Sequence, residues 1–205
     1  LGPLKTAWTL IRLPFSLITS IRIIKRFTPS VMVGLGGYSS GPVLLVGKAL
    51  GIPSLIIEPN VLPGLTNRLL GYWIDGAAVA YDETASWFGE KARLTGIPVR
   101  PQFHKIQTEV STKGPIRLLI FGGSQGSSAL NKLVCDTLSF LPSDQLSLVH
   151  QTGTKDYALV KKKYKKELIQ AEILEFIDDM PTYFDRADLI LSRAGALTLA
   201  EITMA

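Results

Sequence analysis

Short, mostly apolar runs recur along this chain between segments of helical period. They are "VMVGL", "SLIIE" and "GAAVA" in the first half, and "IRLLIF", "LSLVH", "EILEF" and "DLILS" in the second. A strand with one wet face alternates apolar and polar residues, whereas a run apolar throughout needs cover on both faces. Strands of that kind separated by helices describe parallel sheets with helices on either side. The intervening segments agree. "PVLLVGKAL" places Pro42 in the first turn of a helix and Gly51 just past its end, and "PGLTNRLL" reads as a short helix. In the second half "SSALNKLVCDTLSFL", "DYALVKKKYKKELIQ" and a final helix from about Leu197 alternate with the strands.

Residues 101–115, "PQFHKIQTEVSTKGP", interrupt this alternation: they are polar, bracketed by prolines and without hydrophobic period. The expected organisation is α/β, with two Rossmann-like, doubly wound parallel-sheet domains at 1–100 and 116–205 and a linker at 101–115. A chain of 205 residues, 46% hydrophobic and 19% charged, has the length and composition for two small cores. Its single cysteine, Cys135, forms no internal disulfide and has no partner cysteines for a zinc or iron–sulfur site, so it is expected in the core of a helix. No cluster of ligands predicts a metal, and "IDDM" at 177–180 is not a D-x-D motif.

Charge is unevenly placed. Six of the 22 basic residues (Lys5, Arg12, Arg22, Lys25, Arg26 and Lys48) precede Glu58, the first acid, and the rest of the chain is close to neutral. The amino-terminal end is therefore expected to meet an anionic surface. In "TAWTLIRLPFSLITSIRIIKRF" apolar residues are interleaved with Arg12, Arg22, Lys25 and Arg26, as at the surface of an anionic bilayer, with Pro14 expected to interrupt or start a helix. An ordinary buried helix is the other reading. No aromatic stacking platform accompanies the basic residues, which disfavours nucleic acid. The uncharged stretch from Phe27 to Gly47 contains five glycines and two prolines, which excludes a membrane-crossing helix. The run "KKKYKK" at 161–166 reads as a solvated helix face, with Leu159, Val160, Tyr164 and Leu168 turned inward.

Chemistry in an open parallel sheet gathers beyond the carboxyl ends of the strands. Two glycine-rich loops are expected there, "GLGGYSSGP" and "FGGSQGSS". Glycine lets the backbone approach a ligand, and the free amides and dipole of the following helix favour an anion such as a diphosphate. Neither loop is G-x-x-x-x-G-K-[ST] or a clean G-x-G-x-x-G, which lowers the case for an ATPase or a dehydrogenase. A third strand-to-helix junction, "SRAGALTLAEI", spaces Thr198 and Glu201 so that Glu201 either caps its own helix or accepts hydrogen bonds from sugar hydroxyls. Glu58 and Asn60 in "IIEPN" end a strand on the edge of the first loop, where a carboxylate is either structural or part of a site. His104 and His150 have no nucleophile beside them in sequence and receive no catalytic role.

"GLGGYSSGP", "EPN-x5-TNR", "TGIPVR", "FGGSQGSSALN", "EFIDDM" and "SRAGALTLAEI" stand in the order and approximate spacing of the MurG family, which the chain resembles over about residues 31–205. That resemblance implies a GT-B fold and an inverting transfer of N-acetylglucosamine from UDP-N-acetylglucosamine to lipid I, giving lipid II for peptidoglycan. It implies no metal or other cofactor. It places Arg100, Ser124, Gln125, Gly126, Ile177, Ala196, Leu197, Thr198 and Glu201 around the donor, with the main chain of Ile177 on uracil and Glu201 on the ribose. Glu58, Asn60, Gly36, Gly37, Tyr38 and Gly41 fall on the acceptor side or against the donor sugar, the glycine loop holding the diphosphate of the lipid. The partners implied are the UDP-sugar, lipid I and an anionic membrane, at the cytoplasmic face of the bacterial plasma membrane.

The sequence departs from the family pattern in four places. "IEPN" stands where H-E-Q-N is commoner, and "TGIPVR" where G-N-P-V-R is commoner. The amino-terminal G-G-T-G-G-H loop, which carries the histidine proposed as general base, does not occur in the 205 residues, nor does the glutamine-rich segment that grips the donor sugar. The chain also opens without an initiator methionine or a signal peptide and stops inside a helical pattern, so it is expected to be a fragment lacking both termini, inactive alone. Another GT-B enzyme, such as a different lipid-directed transferase or a UDP-sugar epimerase, and a non-catalytic nucleotide-sugar-binding module are the alternatives.

Overall fold

The structure, a computed structural model, describes residues 3–106, 114–142 and 144–205, and the side chains from Leu13 onward within them. The chain divides into two compact units, Leu1–Ile97 and Pro98–Ala205. The segment expected as a linker therefore begins inside the second unit. Pro101–Lys105 is a 3-10 turn, and Phe103, fully buried, packs edge-on against Phe184 with ring centroids 5.0 Å apart. Its continuation at 107–113 lies outside the described residues.

In the first unit, α1 (Pro3–Phe27) leads to β1 (Met32–Gly34), α2 (Ser40–Ala49), β2 (Ser54–Glu58), α3 (Leu65–Leu70), β3 (Gly76–Val79), α4 (Asp82–Ala85) and β4 (Ala92–Leu94). The strands form a parallel sheet in sequence order, with Val33 opposite Leu55, Ile56 opposite Ala77 and Ala78 opposite Arg93. Its core is Ile24, Met32, Leu44, Val46, Ile56, Leu70, Ile74, Ala77, Val79 and Phe88. Gly47 allows the close approach at its centre, since a Cβ there would fall 1.6 Å from Met32 Cε. Gly51 ends α2 at φ +76° as expected. Pro14, however, neither interrupts nor starts a helix: α1 runs through it. Pro14 brings no N–H of its own, and past it Ser16 Oγ donates to Leu13 O and Thr19 Oγ1 to Phe15 O.

In the second unit, β5 (Ile116–Phe121), α5 (Ser128–Thr137), β6 (Leu146–Gln151), α6 (Tyr157–Lys166), β7 (Ala171–Leu174), α7 (Met180–Arg186), β8 (Leu189–Ser192) and α8 (Ala196–Met204) build a parallel sheet of order β7-β6-β5-β8. The strand order turns back at β5, so the loops after β5 and β8 leave the same sheet edge side by side, with Phe121 paired to Ser192. One core cluster includes Ile120, Val134, Cys135, Leu148, Val160 and Tyr164, and another includes Phe103, Leu119, Phe121, Ile177 and Phe184. Cys135 is buried as expected, and that burial pushes its thiol pKa up. Val160 and Tyr164 point inward from α6, but Leu159 and Leu168, expected beside them, are solvent-exposed. Among the described residues no helix is long and apolar enough to cross a membrane, and no group of His, Cys, Asp and Glu has the arrangement to hold a metal ion.

Candidate functional site

The loop after β5, Gly122–Ser127, is compressed against the loop after β6. Gly126 has φ +74°, and a Cβ on it would lie 2.0 Å from Thr152 O. A Cβ on Gly153, φ +78°, would lie 2.3 Å from Gln125 O. Two backbones touch there, and only glycine fits on either side. Gln151 Nε2 donates to Gly123 O at 3.1 Å, and Ser127 caps α5 by accepting from Leu130 N at 3.4 Å. The loop is thus held rigid with Ser124 at its open side.

Beside it, β8 ends in Ser192 and the chain enters α8 through Arg193, Ala194 and Gly195. The Arg193 guanidinium sits over the first loop, its Nη2 3.2 Å from where a Gly123 Cβ would be. Glu201, on the inner side of α8 and 7% exposed, accepts from Arg100 Nη2 at 3.0 Å and Nε at 3.3 Å, both on Oε1. The half-exposed Arg100 guanidinium in turn stacks 4.9 Å over the Phe103 ring. The cap of α8 is Gly195, with no side-chain cap bond, so Glu201 does not cap its own helix as its spacing from Thr198 suggested. Its carboxylate is held by an arginine 101 positions away in sequence.

These groups line one cleft of about 530 Å³ within the second unit. Of the residues expected around a donor, Arg100, Ser124, Ile177, Leu197, Thr198 and Glu201 line it together. Gln125 and Gly126 instead form the packed base of the first loop, and Ala196 begins α8 outside the lining. The Ile177 side chain is buried in the core, which leaves its main chain for any ligand. Sequence reasoning missed Gln151, Phe176, Asp178 and Arg193, which also line the cleft. Arg193 carried a readable signal, being the one cation of "SRAGALTLAEI" at a strand-to-helix junction. Chemically the cleft offers two helix amino termini, loop amides and two arginines to an anion, and a carboxylate to hydroxyl groups.

In the first unit, the loop between β1 and α2 turns through Gly36 at φ +86° and Gly37 at φ +80°. Tyr38 is 81% exposed, while Gly41 is buried against Thr66. Glu58 does not face outward. It is 2% exposed, and its Oε1 accepts from Asn60 N at 3.1 Å and Nδ2 at 2.8 Å, its Oε2 from Gly64 N and Asn67 Nδ2, both at 2.9 Å. Four bonds commit this carboxylate to shaping the loop after β2, the structural alternative for this residue. Asn67 lies directly under Gly36, and its buried Oδ1 has no partner. Asn60 is exposed. A groove of about 550 Å³ runs from Gly36 and Ser40 along Leu35, Val33 and Phe27.

At the end of α1, Arg22, Lys25 and Arg26 are exposed together with Phe15, Ile18, Ile23 and Phe27, while Ile24 and Ser20 face the core. The Arg12 side chain lies outside the described residues. His150 is fully buried, its Nδ1 3.0 Å from Tyr164 Oη and its Nε2 3.1 Å from Asn131 Oδ1. Burial lowers its pKa to about 4, so it is a neutral internal strut.

Residues 4–79 match the glycosyltransferase family 28 N-terminal domain and residues 117–205 the C-terminal domain of the same family. Among similar proteins, the UDP-N-acetylglucosamine–N-acetylmuramyl-(pentapeptide) pyrophosphoryl-undecaprenol N-acetylglucosamine transferase of Syntrophus aciditrophicus is 39% identical over 98% of this chain and 57% of its own length. The same-named protein of Myxococcus xanthus is 41% identical over 99% of this chain and 54% of its own length. The chain therefore spans little more than half the length of the curated relatives it matches. A crystal structure of Acinetobacter baumannii MurG, 31% identical, superposes with a TM-score of 0.65 over 93% of this chain and 55% of that one. Staphylococcus aureus MnaA with UDP, 13% identical, gives 0.65 over 94% of this chain and 59% of that one, a likeness of fold alone. Two family 28 domains in tandem, on Rossmann-like units of the GT-B kind, show that the chain belongs to the MurG family of glycosyltransferases.

Proposed function

We propose that the protein to which this chain belongs moves N-acetylglucosamine from UDP-N-acetylglucosamine to the muramoyl sugar of lipid I, with inversion at the anomeric carbon. The observation that carries the reading is the cleft of the second unit, where Ser124, Arg193 and the Arg100–Glu201 pair meet at two helix amino termini. In this reading Ser124 and the amides of its loop hold the diphosphate, the Ile177 main chain pairs with uracil, and Glu201 takes the ribose hydroxyls through Oε2. Arg193 lies where charge builds on the leaving UDP. Donors fixed before reaction meet that charge without rearranging, which is the larger part of such catalysis.

The first unit takes the acceptor. Gly36, Gly37, Tyr38 and Gly41 hold the lipid diphosphate, and Asn60 faces the sugar. Glu58 contributes by fixing the loop under it. The apolar groove beside Gly36 takes the first units of the lipid chain, and the exposed basic end of α1 meets anionic headgroups at the inner face of the plasma membrane.

Calorimetry of the 205-residue chain with UDP-N-acetylglucosamine tests the donor site. Binding is expected in the absence of turnover with lipid I, and Ser124→Ala and Glu201→Gln each weaken it by about tenfold or more, the worth of a bond to a charged or buried partner. No heat on titration, or unchanged affinity in both variants, removes this assignment. A UDP-sugar epimerase of the same fold also binds the donor, and the full-length protein distinguishes the two by forming lipid II from lipid I.

A further inference from the structure

The helices α5 and α6 of the second unit carry a surface that the donor cleft does not use. A groove of about 640 Å³ runs between them, floored by Cys135 and edged by Lys132, Lys162, Lys163 and Lys166. The outer face is not the purely charged one that a solvated lysine run would have. Leu159 is 67% exposed in line with Lys162, Lys163 and Lys166, and Leu133 is 59% exposed next to Lys132. Phe140 beyond the end of α5 and Leu168 beyond the end of α6 are exposed by 83% and 89%.

Leu168 is the telling residue. It follows the carboxyl-terminal cap of α6 at φ +56°, a left-handed position that glycine fills without cost and a leucine fills under strain. An apolar side chain is thus held in water on a strained backbone, beside Lys165 and Lys166. The acids nearby do not cancel the charge. Glu167 pairs with Lys163 at 3.1 Å and Asp156 accepts from Asn131 at 2.9 Å, which leaves Asp136 as the remaining acid of the groove lining against its four lysines. Lys132, Lys162 and Lys166 are exposed on this side. Apolar projections ringed by lysines are the composition of an interfacial helix, whose apolar groups enter the headgroup boundary while its cations meet anionic lipid.

We propose that the α5–α6 face of the second unit is a contact for an anionic phospholipid bilayer, separate from the basic end of α1. Lys132, Lys162 and Lys166 take the headgroups, and Leu159, Leu168 and Phe140 enter the boundary. It is independent of which sugar the protein transfers.

Co-sedimentation of the chain with phosphatidylcholine vesicles, with and without phosphatidylglycerol, tests it in a background where Arg22, Lys25 and Arg26 are already glutamate. Residual binding to the anionic vesicles is expected, falling as salt rises. Lys162→Gln with Lys166→Gln lowers the partition coefficient by roughly fivefold per lysine. Leu168→Gly relieves the backbone strain, so the variant folds at least as stably as its parent, yet it binds anionic vesicles several-fold more weakly. Binding unchanged in both variants overturns the proposal. So does loss of binding to polyglutamate with vesicle binding intact, which assigns the face to an acidic protein instead.

Discussion

Gly126 and Glu58 show two ways in which single residues hold a ligand loop in shape. Gly126 does so by lacking a Cβ. An alanine there meets Thr152 O at 2.0 Å on a backbone with φ +74°, so Gly126→Ala is expected to destabilise the second unit by about 3 kcal/mol, read from denaturant unfolding. Glu58 does so by accepting four bonds in a buried place. Removing it leaves amide donors of Asn60, Gly64 and Asn67 without an acceptor, and Glu58→Ala is expected to cost about 3 kcal/mol in the first unit. If that variant unfolds at the parent denaturant midpoint, Glu58 has no structural part. His150 brings a pH dependence. Its pKa is depressed to about 4 in the folded chain, from about 6.5 when unfolded, so the unfolded state binds the proton first. Stability of the second unit is full above about pH 6.5 and falls by about 3 kcal/mol as pH drops towards 4. His150→Gln flattens that slope; a slope that survives the substitution assigns it to other groups.

The elements differ in how plainly the sequence announces them. The strands of the sheet interiors, such as Ile116–Phe121, were legible as mostly apolar runs, because Leu119, Ile120 and Phe121 are buried, while Arg117 near the exposed start of the strand pairs with Asp188. β4 and α7 were not. Ala92–Leu94 is a three-residue edge strand containing an arginine, and Met180–Arg186 is too short to display a helical period and has a proline at its second position. In α6, spacing marked Val160 and Tyr164 correctly, but Leu159 is one residue off that stripe and Leu168 falls after the helix has ended. The cleft was legible in its loops and illegible in its cross-chain pair, since no local spacing joins Arg100 to Glu201. For α1, replacing Arg22, Lys25 and Arg26 by glutamate is expected to reduce binding to anionic vesicles by about a hundredfold at low salt in a chain whose α5–α6 face is intact. Retention of full binding there places the bilayer contact elsewhere.

At the scale of the whole chain, the residues that line the cleft proposed for the donor all belong to the second unit. A ligand that binds one folded unit stabilises that unit, by about 2.7 kcal/mol at a hundred times its Kd. Scanning calorimetry with UDP-N-acetylglucosamine is expected to raise the transition of the second unit by about 10 °C and leave that of the first in place. A shift of both by the same amount shows that they melt together. The sheets themselves have a further property. Among the described residues the outer strands of each sheet, β1 and β4 in one, β7 and β8 in the other, are three or four residues long. So short an edge offers a passing chain too few ladder bonds to offset the entropy of ordering it. Brevity at these margins is therefore a colloidal safeguard for strands that carry exposed Val33 and Leu189, and lengthening either margin with β-branched residues would turn it into a seed for fibres.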